Sequence, residues 1–160
     1  MKVHIGKYPK DYTKRKVNIQ IDPWDTWNMD TTLALIIVPM LKQLKETQHG
    51  APQVDLEDVP EELRVDDKVH PYNEDGNYLK RWHYVLDEMI FAFEYIVDDE
   101  KHAPFPDVLL KKWNKDDFNR PRTDEEQQAW KEYMALSEKL EERKKKGLEL
   151  FHKHYDNLWI

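Results

Sequence analysis

Tyr78-Leu79-Lys80-Arg81-Trp82-His83-Tyr84-Val85-Leu86-Asp87-Glu88-Met89-Ile90-Phe91-Ala92-Phe93-Glu94-Tyr95-Ile96-Val97 is the stretch that decides the fold. Leu79, Trp82, Leu86, Met89, Phe93 and Ile96 recur in steps of three and four, the period of one helical face. Water cannot solvate so wide an apolar stripe favourably, so the pattern predicts a helix over 78–97 and a partner to cover it. Asp98-Asp99-Glu100 and the prolines Pro104 and Pro106 end it.

Partners are available on both sides. Downstream, Thr123-Asp124-Glu125-Glu126 has the form of a capping box and opens a helix over 123–146. Lys144-Lys145-Lys146 followed by Gly147 is a stop signal, which predicts a separate last helix over 148–159 with Leu148, Phe151, Tyr155 and Leu158 on one face. Glu141–Lys145 and Glu142–Lys146 are spaced for i,i+4 ion pairs. Upstream, Asp30 before Thr31 and Thr32 reads as an N-cap, and a helix follows over 31–49 with Gly50 after it. Its first half is apolar nearly all round, which predicts the most buried element. Pro39 lies within it and should kink it, the alternative being a strand over 33–38. The expected core is Leu33, Ile36, Ile37, Leu41, Trp82, Leu86, Met89, Phe93 and Phe151.

Val3 and Ile5, then Val17, Ile19 and Ile21, alternate with polar residues and read as half-buried strands. Residues 51–77 are rich in proline and acids, with one helical turn expected at 61–64 and surface loop over 66–76. Residues 105–122 read as irregular, with a turn around 108–113. The expected class is α+β, predominantly helical: an N-terminal β-hairpin or short strand pair packed on a bundle of three to four helices, one domain over 1–160.

Composition removes several chemistries. With no cysteine, a disulfide scaffold, a thiolate metal site and a cysteine nucleophile are out. The single serine, Ser137, sits in a charged helix, and four glycines build neither GxxxxGK[ST] nor GxGxxG. Neither HExxH nor an EF-hand loop is present, and no catalytic residue or cofactor is assigned. No secretory leader is read at residues 1–8, and the longest apolar run, residues 33–41, is too short to cross a membrane; a cytoplasmic protein is expected. The net charge of -7 opposes non-specific binding of duplex DNA. Yet Lys7 to Lys16 holds five cations (Lys7, Lys10, Lys14, Arg15, Lys16) against Asp11, a segment of +4 on a remainder of -11.

That segment is the leading candidate site. Cations interleaved with Tyr8 and Tyr12 suit an anionic ligand, with Trp24 and Trp27 as further contact residues; the plainer reading is a solvated loop guarding strand edges. His83, Asp87 and Glu94 share a helix face and could begin a metal or acid–base site, but any amphipathic helix shows charge at this spacing. Asp22, Asp25 and Asp30 could hold Mg²⁺; the alternative has Asp30 capping a helix while Trp24 and Trp27 close the core. His152-Lys153-His154 points in three directions and reads as surface.

Longer wording adds a context. Ile21-Asp22, Asp25-Thr26-Trp27-Asn28-Met29-Asp30-Thr31-Thr32-Leu33-Ala34-Leu35-Ile36-Ile37, Pro39-Met40-Leu41-Lys42-Gln43-Leu44-Lys45-Glu46, His49-Gly50-Ala51-Pro52 and Glu57-Asp58-Val59-Pro60 carry it. So do Trp82, Asp87-Glu88-Met89-Ile90, Phe93-Glu94, Gly147-Leu148, Leu150-Phe151 and Tyr155 with Leu158-Trp159. Together they resemble an uncharacterised family of small tailed-phage proteins, frequent in marine and metagenomic phage genomes. The resemblance covers most of the chain, is weakest over 98–122, and implies a viral protein made in a bacterial host cytoplasm. It brings no catalytic residues with it.

The expected function is that of a non-enzymatic phage accessory protein. It would bind a host protein or a small anionic ligand such as a nucleotide signal, in counter-defence or host takeover. The rivals are a metal-dependent hydrolase or nuclease using Asp22, Asp25, Asp87 or Glu88, and a virion or assembly component. Assembly into a homo-oligomer is left open.

Overall fold

The computed structural model describes residues 1–11, 13–64, 76–110 and 120–159. Strands β1 (Lys2–Ile5) and β2 (Val17–Gln20) form an antiparallel hairpin, and a 3-10 turn at Pro23–Thr26 leads into α1 (Met29–Thr47). Then come 3-10 turns at Leu56–Asp58 and Glu61–Leu63, α2 (Tyr78–Val97), the short α3 (Asp107–Leu110), α4 (Asp124–Lys153) and a 3-10 turn at Tyr155–Asn157. The architecture is α+β and predominantly helical, as the patterning predicts. Residues 66–75 of the expected acidic loop, and 111–113 of the turn expected near 108–113, lie outside the described residues.

Helix α2 is the centre of the molecule. Trp82, Val85, Leu86, Met89 and Phe93 are buried, and one cluster joins them to Ala34 and Leu41 of α1, Val54 and Val59 of the strap after it, and Leu150 of α4. Lys42 reaches Glu94 and Lys45 reaches Asp87, each at 2.5 Å, so α1 and α2 run antiparallel. The strap at 51–64 closes the other side. Arg81 donates to the Leu63 carbonyl (3.1 Å), and the Tyr78 hydroxyl donates to the Ala51 carbonyl.

Helix α4 corrects the expectation of two helices divided at Gly147. It is continuous from Asp124 to Lys153, and Gly147 lies buried inside it. A Cβ at 147 would press into the Glu88 carbonyl oxygen and lie 2.7 Å from Ala92 Cβ. The glycine therefore serves close approach of α4 to α2 and does not stop the helix. Beside this crossing, the Arg143 guanidinium grips the buried Glu88 carboxylate through Nε (3.0 Å) and Nη2 (2.8 Å). Those hydrogen bonds raise the guanidinium pKa further. The capping box forms as predicted, with Thr123 N donating to Glu126 Oε2 (2.8 Å) and Glu126 N donating to Thr123 Oγ1 (3.3 Å). The two i,i+4 pairs do not form: Lys144 takes Glu141 (2.6 Å), and Lys146 turns to the Tyr84 hydroxyl (3.2 Å).

Three further expectations are corrected. Helix α1 is not the most buried element: Ala34 and Leu41 are its buried residues, whereas Leu33 is 46% exposed. Its capping also differs, since Asn28 precedes the helix, Asp30 lies in its first turn and Gln48 ends it. Pro39 sits inside α1 at an exposed position, where water can take the Leu35 carbonyl that loses its helical donor. The strands are not half-buried, because every residue of β1 and β2 is exposed. Finally, of His152-Lys153-His154, read as surface, His152 and Lys153 are exposed but His154 is not. Lys153 binds Asp55 (2.6 Å) and Asp58 (2.7 Å), and His154 is buried edge-on against the Trp82 ring (5.3 Å).

Candidate functional site

The basic segment closes the hairpin. Ladder pairing ends at Ile5–Val17, and Gly6 N donates to the Lys16 carbonyl (2.9 Å), one further rung. Inside the loop, Arg15 is spent on structure. Its Nε donates to the Gly6 carbonyl (2.6 Å), its Nη2 reaches the Ile5 carbonyl (3.5 Å), and its guanidinium lies 4.8 Å from the centre of the Tyr8 ring. Asp11 is also turned inward. Thr13 donates to Asp11 Oδ1 from its hydroxyl (2.9 Å) and its backbone N–H (3.3 Å), which holds the carboxyl below its ordinary pKa. Lys7, Lys10, Lys14 and Lys16 remain: four exposed ammonium groups with no carboxylate partner among the described residues. Tyr8 beside them is 63% exposed, and Tyr12 lies outside the described residues.

Trp24 and Trp27 do not join this loop. They follow β2 at the opposite end of the ladder, separated from the loop by the length of the strands, on the order of 10 Å for four residues. Nor do they close the core. Their rings stack at 5.2 Å and stand 74% and 75% exposed. The candidate residues therefore form two sites on one hairpin, a cationic tip and an aromatic root.

Five of the six carboxylate candidates, all but Asp30, are held by cations. Asp22 and Asp25 share the Met1 amino group (3.1 and 2.9 Å), and Asp25 Oδ2 accepts from Asp22 N–H (2.7 Å), the first cause of its lowered pKa. Asp87 and Glu94 are bound by α1 lysines, and Glu88 by Arg143. The two acidic groups are also far apart. Lys45 and Asp30 stand fifteen residues apart on α1, so about 20 Å of helix separates Asp87 from Asp30. Among the described residues, no group of three His, Asp or Glu side chains is placed to share one metal ion.

The exposure of Trp24 and Trp27 removes the alternative in which they close the core, and their place at the hairpin root parts them from the lysines with which they were grouped. Arg15 also has a structural part that patterning cannot show, because its partners are backbone carbonyls, which carry no sequence signal. No helix among the described residues is long and apolar enough to cross a membrane. Compared with protein-family models, curated proteins and solved structures, the chain has no match.

Proposed function

We propose that this is a non-enzymatic binding protein whose cationic hairpin tip docks on an acidic surface of another macromolecule. The supporting observation is four exposed lysines on one loop with no carboxylate partner among the described residues, while Asp11, the one acid of that segment, is turned to Thr13. A hairpin tip is convex. Small-molecule sites are concave and enclose most of their ligand, so this shape suits a protein partner better than a free nucleotide. The Arg15–Tyr8 contact and the Asp11–Thr13 turn hold the loop in shape before binding, which lowers the ordering cost of association. Taken with the resemblance to tailed-phage proteins, the reading is a viral accessory protein that engages a host protein in the bacterial cytoplasm.

The test is affinity capture from bacterial lysate with the parent chain and with Lys7, Lys10, Lys14 and Lys16 all changed to Gln. The parent should retain a partner that salt releases, because exposed charges are screened within about 10 Å at 0.1 M salt. The variant should lose it while melting at nearly the same temperature, since exposed charges contribute little to folding. If parent and variant retain the same partner to the same extent, the loop is a solvated edge guard and this reading fails.

A further inference from the structure

A second surface is as conspicuous as the cationic tip and independent of it. The register pairs Val3 with Ile19 and Ile5 with Val17, so all four lie on one face of the hairpin, with Lys2, His4, Asn18 and Gln20 on the other. That apolar face is uncovered: its side chains are 42–60% exposed. An isolated two-stranded hairpin is marginal in water, and a sheet face of this composition needs a second layer. Helix α1 shows the complementary deficiency. Its Ala34, Ile37, Leu41 and Leu44 turn toward α2, while Met29, Leu33, Ile36 and Met40 follow a 4-3-4 spacing along a different face. Met29, Leu33 and Met40 are each 46–65% exposed. Between hairpin and helix stand the stacked, open Trp24 and Trp27.

We propose that these are the two halves of one homodimer interface: the apolar hairpin face of each copy packs on the uncovered α1 stripe of the other. Three considerations select a second copy of this chain as the occupant. The first is area. Val3, Ile5, Val17, Ile19, Trp24, Trp27, Met29, Leu33 and Met40 are each 42–75% exposed, and nine large apolar side chains, two of them tryptophans that can bury about 150–250 Å² apiece, are on the scale of the ~800 Å² per partner in a standard interface. The second is kind. A flat sheet face and a helical stripe are the two layers that cover one another inside α+β domains, and one chain carries both, each lacking its cover among the described residues. The third is symmetry. When one hairpin covers the partner's α1, a two-fold axis makes the reverse contact automatically and leaves neither face open. A foreign partner would have to supply a helical layer for the hairpin and a second layer for α1.

The experiment uses the full chain and its lack of cysteine. Sedimentation velocity over roughly a hundredfold range of concentration should show a reversible monomer–dimer equilibrium. Ile19→Thr keeps strand propensity and Leu33→Gln keeps helix propensity. Each should raise the dimer dissociation constant at least about tenfold with circular dichroism unchanged, because neither side chain is buried within a single copy. For geometry, an Ile19→Cys chain and a Leu33→Cys chain are mixed and oxidised. A mixed disulfide should form in preference to either like-with-like disulfide. The proposal is overturned by a monomer at every concentration, including one that binds a different host protein through this face. It is equally overturned by a dimer that neither substitution weakens, or by absence of the mixed disulfide when a dimer is present.

Discussion

His154 shows how a single residue ties packing to pH. Its ring is buried against Trp82 near the end of α4, and its Nδ1 lies 3.3 Å from the Asn157 amide nitrogen. Burial lowers its pKa, because an imidazolium there would give up its water; Asp58, 4.0 Å from Nε2, opposes the shift only in part. Protonating the ring is thus harder in the folded state than in the unfolded chain, which takes up a proton near the ordinary value of about 6.5. With the folded pKa depressed, the stability linked to this group is fully present above the unfolded pKa. It is lost as pH falls from there toward the folded value, with a slope of at most about 1.4 kcal/mol per pH unit for one proton. Urea midpoints should therefore be lower at pH 5.5 than at pH 7.5. The carboxyls of Asp25 and Asp55, whose pKa values are lowered, act in a separate window below about pH 4. His154→Gln should flatten the curve between 5.5 and 7.5, and a variant with the same slope as the parent would assign that slope to another group.

At the scale of elements, what the sequence could announce was local. The 3-4 spacing of Trp82 to Phe93 and the Thr123–Glu126 box are each satisfied within one helix, so both were legible, although Leu79, counted on the same stripe, is 47% exposed in the first turn. What was not legible depends on a neighbour. The apolar first half of α1 looks like the best core former, yet α2 covers only one side of it, and Leu33 and Met40 face water. Gly147 carries the same lesson, for a glycine after three lysines reads as a stop unless the approach of α2 is known. Since α4 continues through it, Gly147→Ala should be judged by packing and not by propensity. Alanine favours a helix over glycine by about 1 kcal/mol. Here its Cβ would run into the Glu88 backbone carbonyl, and overpacking against a rigid helix costs about 1–3 kcal/mol. The substitution should therefore lower stability in urea titration, whereas Gly50→Ala, with open space around its Cβ, should be near neutral. A Gly147→Ala protein more stable than the parent would mean that α2 and α4 do not meet this closely.

On the whole molecule, charge and apolar exposure are distributed unevenly, and the two proposals meet at the hairpin. Its tip carries lysines that no described carboxylate binds, and its face carries apolar residues that no described element covers. The tip was legible because charge asymmetry is a property of the sequence. The face was not, because alternation alone cannot say whether a covering layer exists. If both readings hold, each dimer presents two cationic tips, and on a dense acidic surface the second contact becomes intramolecular. Linked contacts of this kind strengthen binding by about 10²–10⁴-fold when both can engage. A sensor coated with polyglutamate at high density provides that surface, and a short glutamate peptide in solution provides the single contact. The Ile19→Thr/Leu33→Gln double variant keeps every lysine, so it should bind the free peptide as the parent does. On the coated sensor it should bind about 100-fold more weakly, chiefly through faster dissociation. Equal binding to the sensor by parent and double variant would show that the tips act singly. Loss of peptide binding in the double variant would mean that the tip depends on the apolar face for its shape, and the two surfaces would have to be treated as one.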